Sequence, residues 1–295
     1  MIKFKQTPGE RIFVLFVYIF LLLLVFVTLY PMLHVLFASV SNPLQLTMHR
    51  GVIWRPLGFS LRGYEIVMAN PNIIIGYRNT IINMGIGTVL NLLFTSVGAY
   101  VLSRKRFMPR NIIMLFILIT MYFSGGMIPL YLTVLNLGLL DNRFALILPT
   151  LISTFNLIVM RTGFAAVPDS LEESAKLDGA NDLRVLFQIY LPTCKAIVAV
   201  MVLFYAVDHW NLWFNAMLFI RNRTLFPLQL ILREILITGD VSAAGAAGGL
   251  EGEDLLYISL IRYTTIIVAT LPVLFVYPFL QKYFVKGVMI GSVKG

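Results

Sequence analysis

The sequence predicts an all-α protein that crosses a lipid bilayer six times, and its composition and patterning both indicate this fold class. Hydrophobic residues make up 59% of the 295 residues, charged residues only 13%, and the mean hydropathy is +0.85. A soluble domain carries about 25% charged residues, so this composition is typical of a polytopic membrane protein. We expect a single transmembrane domain over residues 1–295.

Six apolar stretches are each long enough to cross a hydrocarbon core of about 30 Å as a helix. The predicted spans are approximately Ile12–Ala38, Ile74–Leu102, Ile112–Tyr131, Phe144–Phe164, Ala196–Ile220 and Tyr257–Tyr283. The first follows basic residues as a secretory signal does, but its apolar run is too long for one, so we expect it to remain uncleaved. Six crossings place both termini on the same side of the membrane.

Basic residues predict which side that is. The short turn after the second span contains Arg104, Lys105 and Arg106, and short basic turns remain in the cytoplasm. Both termini, the loop 165–195 and the tail 284–295 are therefore predicted to be cytoplasmic, and the loop 221–256 to be on the outside. The net charge of +9 is explained by this topology, and no basic stripe with interleaved aromatic residues predicts nucleic-acid binding.

Two features of the first half suggest local structure. The outer loop Ser39–Asn72 contains Trp54 and Tyr64, which are typical of interfacial anchors. The third span ends in Gly125-Gly126-Met127-Ile128-Pro129, a sequence that permits a bend. A gate hinge and a fixed kink both remain open there.

The longest polar interruption in the middle of the chain, Pro168–Pro192, has the signals of two short helices. Ser170 and Glu173 have the spacing of a capping box, which predicts a helix that begins at about Ser170. Gly179 is predicted to end it in a left-handed conformation. Asn181 or Asp182 then caps a second helix that ends at Pro192. The apolar stripe of this second helix must be covered by the protein's own helix ends or by a partner.

Residues in this segment resemble the EAA loop of the membrane subunits of bacterial ATP-binding-cassette (ABC) importers. The resemblance rests on Glu173-Ser174-Ala175, on Gly179 after three residues, and on Ile189-x-Leu191-Pro192. Asp178-Gly179-Ala180 is similar to the sugar-importing branch of that family. Ser174 departs from the family pattern, in which an alanine stands there.

The resemblance implies a type I ABC importer permease fold in the bacterial plasma (inner) membrane, with the segment 165–195 as its cytoplasmic coupling loop. It also implies a carbohydrate cargo, a second membrane permease subunit, two cytoplasmic ATPase subunits and an extracytoplasmic solute-binding protein. ATP and magnesium would bind to the ATPase partners, so no cofactor is expected in this chain. The residues implied to contact the ATPases are Glu172, Glu173, Ser174, Ala175, Asp178, Gly179, Ala180, Ile189, Leu191 and Pro192.

The fifth predicted span contains polar and aromatic side chains that are costly to expose to lipid. Tyr205, Asp208, His209 and Leu212 are expected to share one helical face. Aromatic rings beside polar groups suit a path for sugars, whereas a packing seam against neighbouring helices is the other interpretation. The candidate path residues are Tyr205, Asp208, His209, Trp210, Asn211 and Trp213.

The sequence lacks the motifs of several enzyme classes. It has no G-x-x-x-x-G-K-[ST] phosphate loop and no G-x-S-x-G nucleophile motif, and its three histidines and one cysteine lack metal-ligand spacing. A transport subunit without enzymatic activity and without a metal site is therefore expected. An importer of the same architecture for another solute, and an ion-coupled transporter with Asp208 and His209 as a proton relay, remain alternatives.

Two glycine-rich segments have open roles. The run Gly239–Gly249 is predicted to be a flexible outer loop that either contacts the binding protein or only connects two spans. The C-terminal Gly291-Ser292-Val293-Lys294-Gly295 is similar to the tail of a maltose-importer membrane subunit. That similarity implies contact with the ATPases, and a frayed terminus is the alternative.

Overall fold

A computed structural model describes residues 7–238 and 257–292, and within the last helix it describes side chains for residues 257–275 and 278. The predicted all-α fold class is confirmed, because the described residues are nearly all helical and include no strand beyond one isolated bridge between Ser41 and Phe59. The helices are α1 (Pro8–Ser39), α2 (Pro43–Met48), α3 (Arg62–Ala69), α4 (Pro71–Ser103), α5 (Arg110–Tyr122), α6 (Met127–Asn136), α7 (Phe144–Ile147), α8 (Thr154–Ala165), α9 (Asp169–Leu177), α10 (Asp182–Val185), α11 (Leu191–Thr193), α12 (Lys195–Trp210), α13 (Phe214–Phe219), α14 (Leu228–Arg233) and α15 (Tyr257–Ser292).

Three helices of the described chain are each long and apolar enough to cross a membrane: Pro8–Ser39, Pro71–Ser103 and Tyr257–Phe275. Three further candidates are pairs of helices that bend at a short break. If each bent pair counts as one crossing, the number of spans is six, in agreement with the predicted fold class.

The breaks lie where backbone chemistry permits them. α5 and α6 meet at 113° around Gly126, whose φ of +87° is accessible to glycine and strained for other residues. The pair α7 and α8 bends by 54° before Ser153, whose side chain caps α8. The predicted continuous helix 196–220 is instead interrupted. α12 ends at Trp210, Asn211 to Trp213 are not helical, and α13 follows.

The described part of the chain forms two compact units. The first contains α1 to α3 and the part of α15 up to Thr270. Thr7 and Glu10 form a capping box at the start of α1, and Trp54 packs on Tyr30 with ring centroids 4.8 Å apart. At Gly63 of α3, a Cβ would lie within 3.1 Å of Leu260 and Thr264, so α3 and α15 approach closely through that glycine.

In the second unit, which comprises residues 71–238 and the rest of α15, α4 packs against α8, α12 and α14. α4 buries a row of polar side chains four residues apart, which therefore share one helical face: Asn79, Asn83, Asn91 and Thr95, with Gly87 completing the series. A Cβ at Gly87 would collide with the ring of His209, so the glycine admits that ring beside α4.

The run Gly239–Gly249 and residues 293–295 of the predicted tail lie outside the described residues. The predictions for those segments remain predictions.

Candidate functional site

The first helix of the loop 165–195 begins one residue earlier than predicted, and the predicted capping box is wrong. α9 starts at Asp169 with Pro168 as its N-cap, and no side chain caps it. Asp169 and Glu172, both acidic, occupy the first turn, where the helix dipole favours negative charge.

The turn between the two helices of the loop forms as the sequence predicts. Gly179 has a φ of +82°, its N–H donates to the carbonyl of Lys176 at 3.0 Å, and the N–H of Ala180 donates to Ala175 at 2.9 Å. This pair of bonds is a Schellman motif. Asn181 then caps α10, because its Oδ1 accepts from the N–H of Arg184 at 2.8 Å.

The second helix of the loop extends past the predicted end at Pro192. α10 continues through a π-helical turn over Leu186–Tyr190 into α11, which contains Pro192 at one of its first positions. Proline is tolerated there because the first N–H groups of a helix have no intrahelical partner. A bend of 91° at Cys194 then leads directly into α12. The loop is therefore continuous with a predicted span.

The inner face of this loop packs on the protein's own core. Val185, Leu186 and Tyr190 are buried, and Met160 and Phe164 of α8 belong to the same hydrophobic cluster. Among the residues that carry the resemblance, four half-buried apolar ones pack against this cluster: Ala175, Ala180, Ile189 and Leu191. These four residues have a packing role in the chain itself.

Glu172 connects the loop to the end of α4. Its Oε2 lies 2.6 Å from Arg104 Nη1, and the two side chains are only 14% and 12% exposed. Its Oε1 lies 2.7 Å from the Nζ of Lys176, which also lies 3.2 Å from Asp182 Oδ1. Tyr190 OH donates to Glu172 Oε2 at 3.2 Å. One carboxylate therefore joins both helices of the loop to the turn after α4.

Burial alone would raise the pKa of Glu172, but hydrogen bonds from Lys176 and Arg104 outweigh burial and lower the pKa below its ordinary value. The same contact with Glu172 raises the pKa of Lys176. Glu172 is therefore ionised and Lys176 is protonated at neutral pH, so the ion pair persists.

Arg104 has further partners. It donates to Tyr190 OH and, at 3.2 Å, to the carbonyl of Phe164, and its guanidinium lies 4.3 Å from the centroid of the Tyr190 ring. The sequence indicated only a role in membrane topology for Arg104. A local sequence pattern could not indicate this contact, because its partner Glu172 is 68 residues away in the chain.

The outer face of the loop is exposed and partly apolar. Leu177 is 89% exposed, Leu183 60% and Phe187 47%. Five of the residues implied to contact the ATPases are exposed on the same segment: Glu173, Ser174, Asp178, Gly179 and Pro192. Exposed leucine and phenylalanine side chains that project from a polar loop are typical of a protein-binding surface. We call this set the docking face.

Three of the candidate path residues lie inside the protein. Tyr205 accepts a hydrogen bond from the N–H of Ser153 at 3.2 Å, and its hydroxyl lies 2.6 Å from Thr95 Oγ1. His209 Nε2 lies 2.9 Å from Asn91 Oδ1. Trp210 is also buried. These contacts are the kind that the packing-seam interpretation expects, and a role of these residues in a cargo path stays a prediction.

The prediction that Tyr205, Asp208, His209 and Leu212 share one helical face is wrong for Leu212, which follows the end of α12. Within α12, Tyr205 and His209 are buried, whereas Asp208 is exposed. Asn211 and Trp213 are exposed as well. Asp208, Asn211 and Trp213 are therefore the candidate path residues that are exposed on the surface of the described chain.

No group of three or more histidine, cysteine, aspartate or glutamate side chains in the described ranges is arranged to hold a metal ion.

Comparison with known proteins gives a consistent result over most of the chain. The family described as "Binding-protein-dependent transport system inner membrane component" matches residues 97–290. The polygalacturonan/rhamnogalacturonan transport system permease protein YtcP of Bacillus subtilis (strain 168) is 41% identical, over 97% of this chain and 99% of that protein. Protein LplC of the same organism is 40% identical, over 91% of this chain and 90% of that protein.

A solved structure is also similar. One chain in the crystal structure of a bacterial ABC transporter involved in the import of the acidic polysaccharide alginate matches with a TM-score of 0.87 and 33% identity. The match covers 96% of this chain and 100% of that chain.

Proposed function

The chain belongs to the family of binding-protein-dependent transport system inner membrane components, and from this membership we propose that it is a permease subunit of an ATP-driven importer of acidic oligosaccharides. The observation that carries the proposal is the loop 165–195, which is anchored to α4 through Glu172, leads directly into α12 and keeps an exposed docking face.

The docking face supports a separate ATPase partner. Leu177, Leu183 and Phe187 are apolar and exposed, and covering them with a partner removes apolar area from water. The sequence has no phosphate loop of its own, so the ATP must bind elsewhere. Two cytoplasmic ATPase subunits, a second permease and an outer solute-binding protein complete the proposed assembly.

The anchored loop suggests how ATP binding moves the spans. An ATPase dimer that closes on ATP displaces the docking face, and the displacement reaches α4 through the Arg104–Glu172 contact and α12 through the bend at Cys194. ATP favours one of two arrangements of the spans because the closed dimer binds the loops in that arrangement only. Hydrolysis restores the other arrangement.

The cargo class follows from the relatives. YtcP is named for transport of polygalacturonan and rhamnogalacturonan, and the similar crystal structure is of a transporter involved in the import of alginate. Both names describe acidic carbohydrates. We assign the same cargo class to this chain.

Reconstitution tests the proposal. The chain is produced together with its partner subunits, inserted into proteoliposomes and supplied with its binding protein. We expect uptake of oligogalacturonides that requires ATP on the ATPase side and persists when ionophores collapse the ion gradients. Uptake driven by an ion gradient without ATP would contradict an ATP-driven mechanism, and uptake of peptides but not oligosaccharides would contradict the cargo class.

A further inference from the structure

Two arginines, Arg78 and Arg143, lie at the end of α4 opposite to the docking face. Arg78 is in the second turn of α4, whereas Arg104, at the other end, follows the last residue of the helix. At 1.5 Å per residue the two positions are about 40 Å apart along the axis, which exceeds the thickness of the hydrocarbon core. If Arg104 is at the cytoplasmic surface, Arg78 is at the outer surface.

Arg143, which precedes α7, is held against this end of α4. Its Nη2 donates to Asn79 Oδ1 at 2.7 Å, and its Nη1 donates to Asn83 Oδ1 at 3.1 Å. The Asn79 amide is fixed in this orientation because its Nδ2 donates to the carbonyls of Thr224 and Phe226, at 2.8 and 2.9 Å. Two neutral amides therefore position the guanidinium without cancelling its charge.

The two positive charges act on each other. Burial lowers the pKa of Arg143, and the like charge of Arg78 lowers it further. Among the side chains that the structure describes, neither arginine forms an ion pair with a carboxylate. The nearby Asp141 instead accepts hydrogen bonds from the backbone N–H groups of Arg221 and Asn222.

A side-chain amide beside the two arginines has a donor without an acceptor. The Nδ2 of Asn83 is buried without a hydrogen-bond partner, while its Oδ1 accepts from Arg143. Buried polar groups without partners are rare and costly, and they frequently mark a site that is completed by another molecule. The cluster therefore has an excess of donors and positive charge that an oxyanion would balance.

We propose that Arg78 and Arg143 bind a carboxylate group of the acidic oligosaccharide as it enters the protein from the outside. A guanidinium matches a carboxylate in shape and charge and binds it through two parallel hydrogen bonds. Arg143 is preorganised for this contact by Asn79 and Asn83, whereas the exposed Arg78 adjusts to the cargo. The inference rests on the proposed function and adds to it the part of the chain that selects acidic cargo.

The test compares a charged and a neutral form of one cargo. Uptake of an oligogalacturonide and of its fully methyl-esterified form is measured in proteoliposomes for Arg78→Gln, Arg143→Gln and the control Arg223→Gln. Arg223 is also a predicted outer arginine, but it already pairs with Glu234 at 2.7 Å. We expect Arg78→Gln and Arg143→Gln to raise the KM for the charged cargo by about tenfold or more, because each variant loses a charge-assisted hydrogen bond to the carboxylate. The KM for the ester should change less than about twofold, and the control should match the wild type for both.

The remaining outcomes separate the two proposals. An equal loss of uptake for both cargo forms would overturn the inference, because it would assign the arginines to contact with the binding protein or to folding. Unchanged uptake of the charged cargo would overturn it as well. Arg78→Gln keeps the test valid if Arg143→Gln does not fold, because the exposed Arg78 side chain makes no hydrogen bond in the described structure. If the wild type imports no acidic oligosaccharide, the proposed function itself fails.

Discussion

Arg104 and Glu172 join the end of α4 to the loop 165–195, with Nη1 and Oε2 2.6 Å apart and both side chains nearly buried. Removal of one partner from a buried ion pair costs about 3–5 kcal/mol when the other charge is left unpaired. Glu172 keeps its contact with Lys176, so the cost should lie towards the lower of these values. We therefore expect Arg104→Met to lower the melting temperature of the purified protein on the order of 10 °C. Stimulated ATPase activity of the reconstituted complex should fall in parallel.

Lys105→Met is the control for this change. Lys105 pairs with Asp169 at 2.8 Å, but the side chains are 77% and 53% exposed, so the pair contributes at most about 1 kcal/mol. Equal effects of Arg104→Met and Lys105→Met would contradict a specific anchoring role for Arg104. The double variant Arg104→Met, Glu172→Met should regain part of the stability, because it also removes the nearly buried carboxylate that has lost its arginine partner.

The lowered pKa of Glu172 gives a prediction about pH. A carboxylate whose pKa is depressed by folding stabilises the protein above its unfolded pKa of about 4.3, and this stabilisation is lost as the pH falls through the folded pKa. The melting temperature of the wild type should therefore show no Glu172-dependent loss between about pH 5 and 8. In Arg104→Met burial persists while one donor is removed, so the loss should begin at a higher pH than in the wild type. An identical pH profile for both proteins would contradict the assigned contact.

Local chemistry and long-range packing were not equally predictable. Gly179 and Asn181 were predicted correctly because a left-handed turn and a helix cap depend on the residue itself and its near neighbours. The Arg104–Glu172 contact was not predictable, because its partners are 68 residues apart. The capping box at Ser170 failed for a different reason. The N-cap is Pro168, two residues before Ser170, so Ser170 lies inside the first turn of the helix.

The fifth span shows a second limit of prediction from sequence. Helical spacing places Tyr205 and His209 on one face, but it does not state which neighbour that face contacts. Gly87 decides this, because it leaves room for the His209 ring beside α4. The sequence shows which polar residues the span contains. It does not predict which of them are buried, because burial depends on packing between helices.

Substitutions of Gly179 test whether coupling to the ATPases depends on the turn in the docking face. Its φ of +82° is strained by about 1–2 kcal/mol for other L-residues, although a Cβ there would meet no atom of this chain within 4 Å. We expect Gly179→Asp to insert and fold but to abolish transport-linked ATP hydrolysis, because the added carboxylate projects towards the partner. Gly179→Asn, which tolerates the left-handed conformation better, should retain more activity than Gly179→Val. Normal stimulated ATPase activity in Gly179→Asp would contradict the docking role.

The apolar part of the docking face predicts a loss of assembly. Leu177→Gln and Phe187→Gln change exposed side chains, so the fold and melting temperature should change little. Each should weaken binding of the ATPase subunits by about 2 kcal/mol or more if these residues are anchors of the interface. Co-purification of the ATPases from membranes measures this effect. Gln188→Ala, an exposed polar neighbour of Phe187, is the control, and undiminished co-purification of the Leu177 and Phe187 variants would place the ATPase contact elsewhere.

Substitutions of exposed residues in the fifth span should affect uptake, whereas substitutions of its buried residues should affect stability. Asp208→Ala and Trp213→Ala remove exposed side chains of the candidate path, so we expect the KM or maximal rate of oligosaccharide uptake to change while assembly with the ATPases is retained. Tyr205→Phe instead removes hydrogen bonds to Thr95 and Ser153. It should lower stability by about 1–2 kcal/mol and leave uptake by the folded fraction unchanged. If Tyr205→Phe alters cargo kinetics while Asp208→Ala and Trp213→Ala do not, the path follows the buried face of α12 and the packing-seam assignment of Tyr205 is wrong.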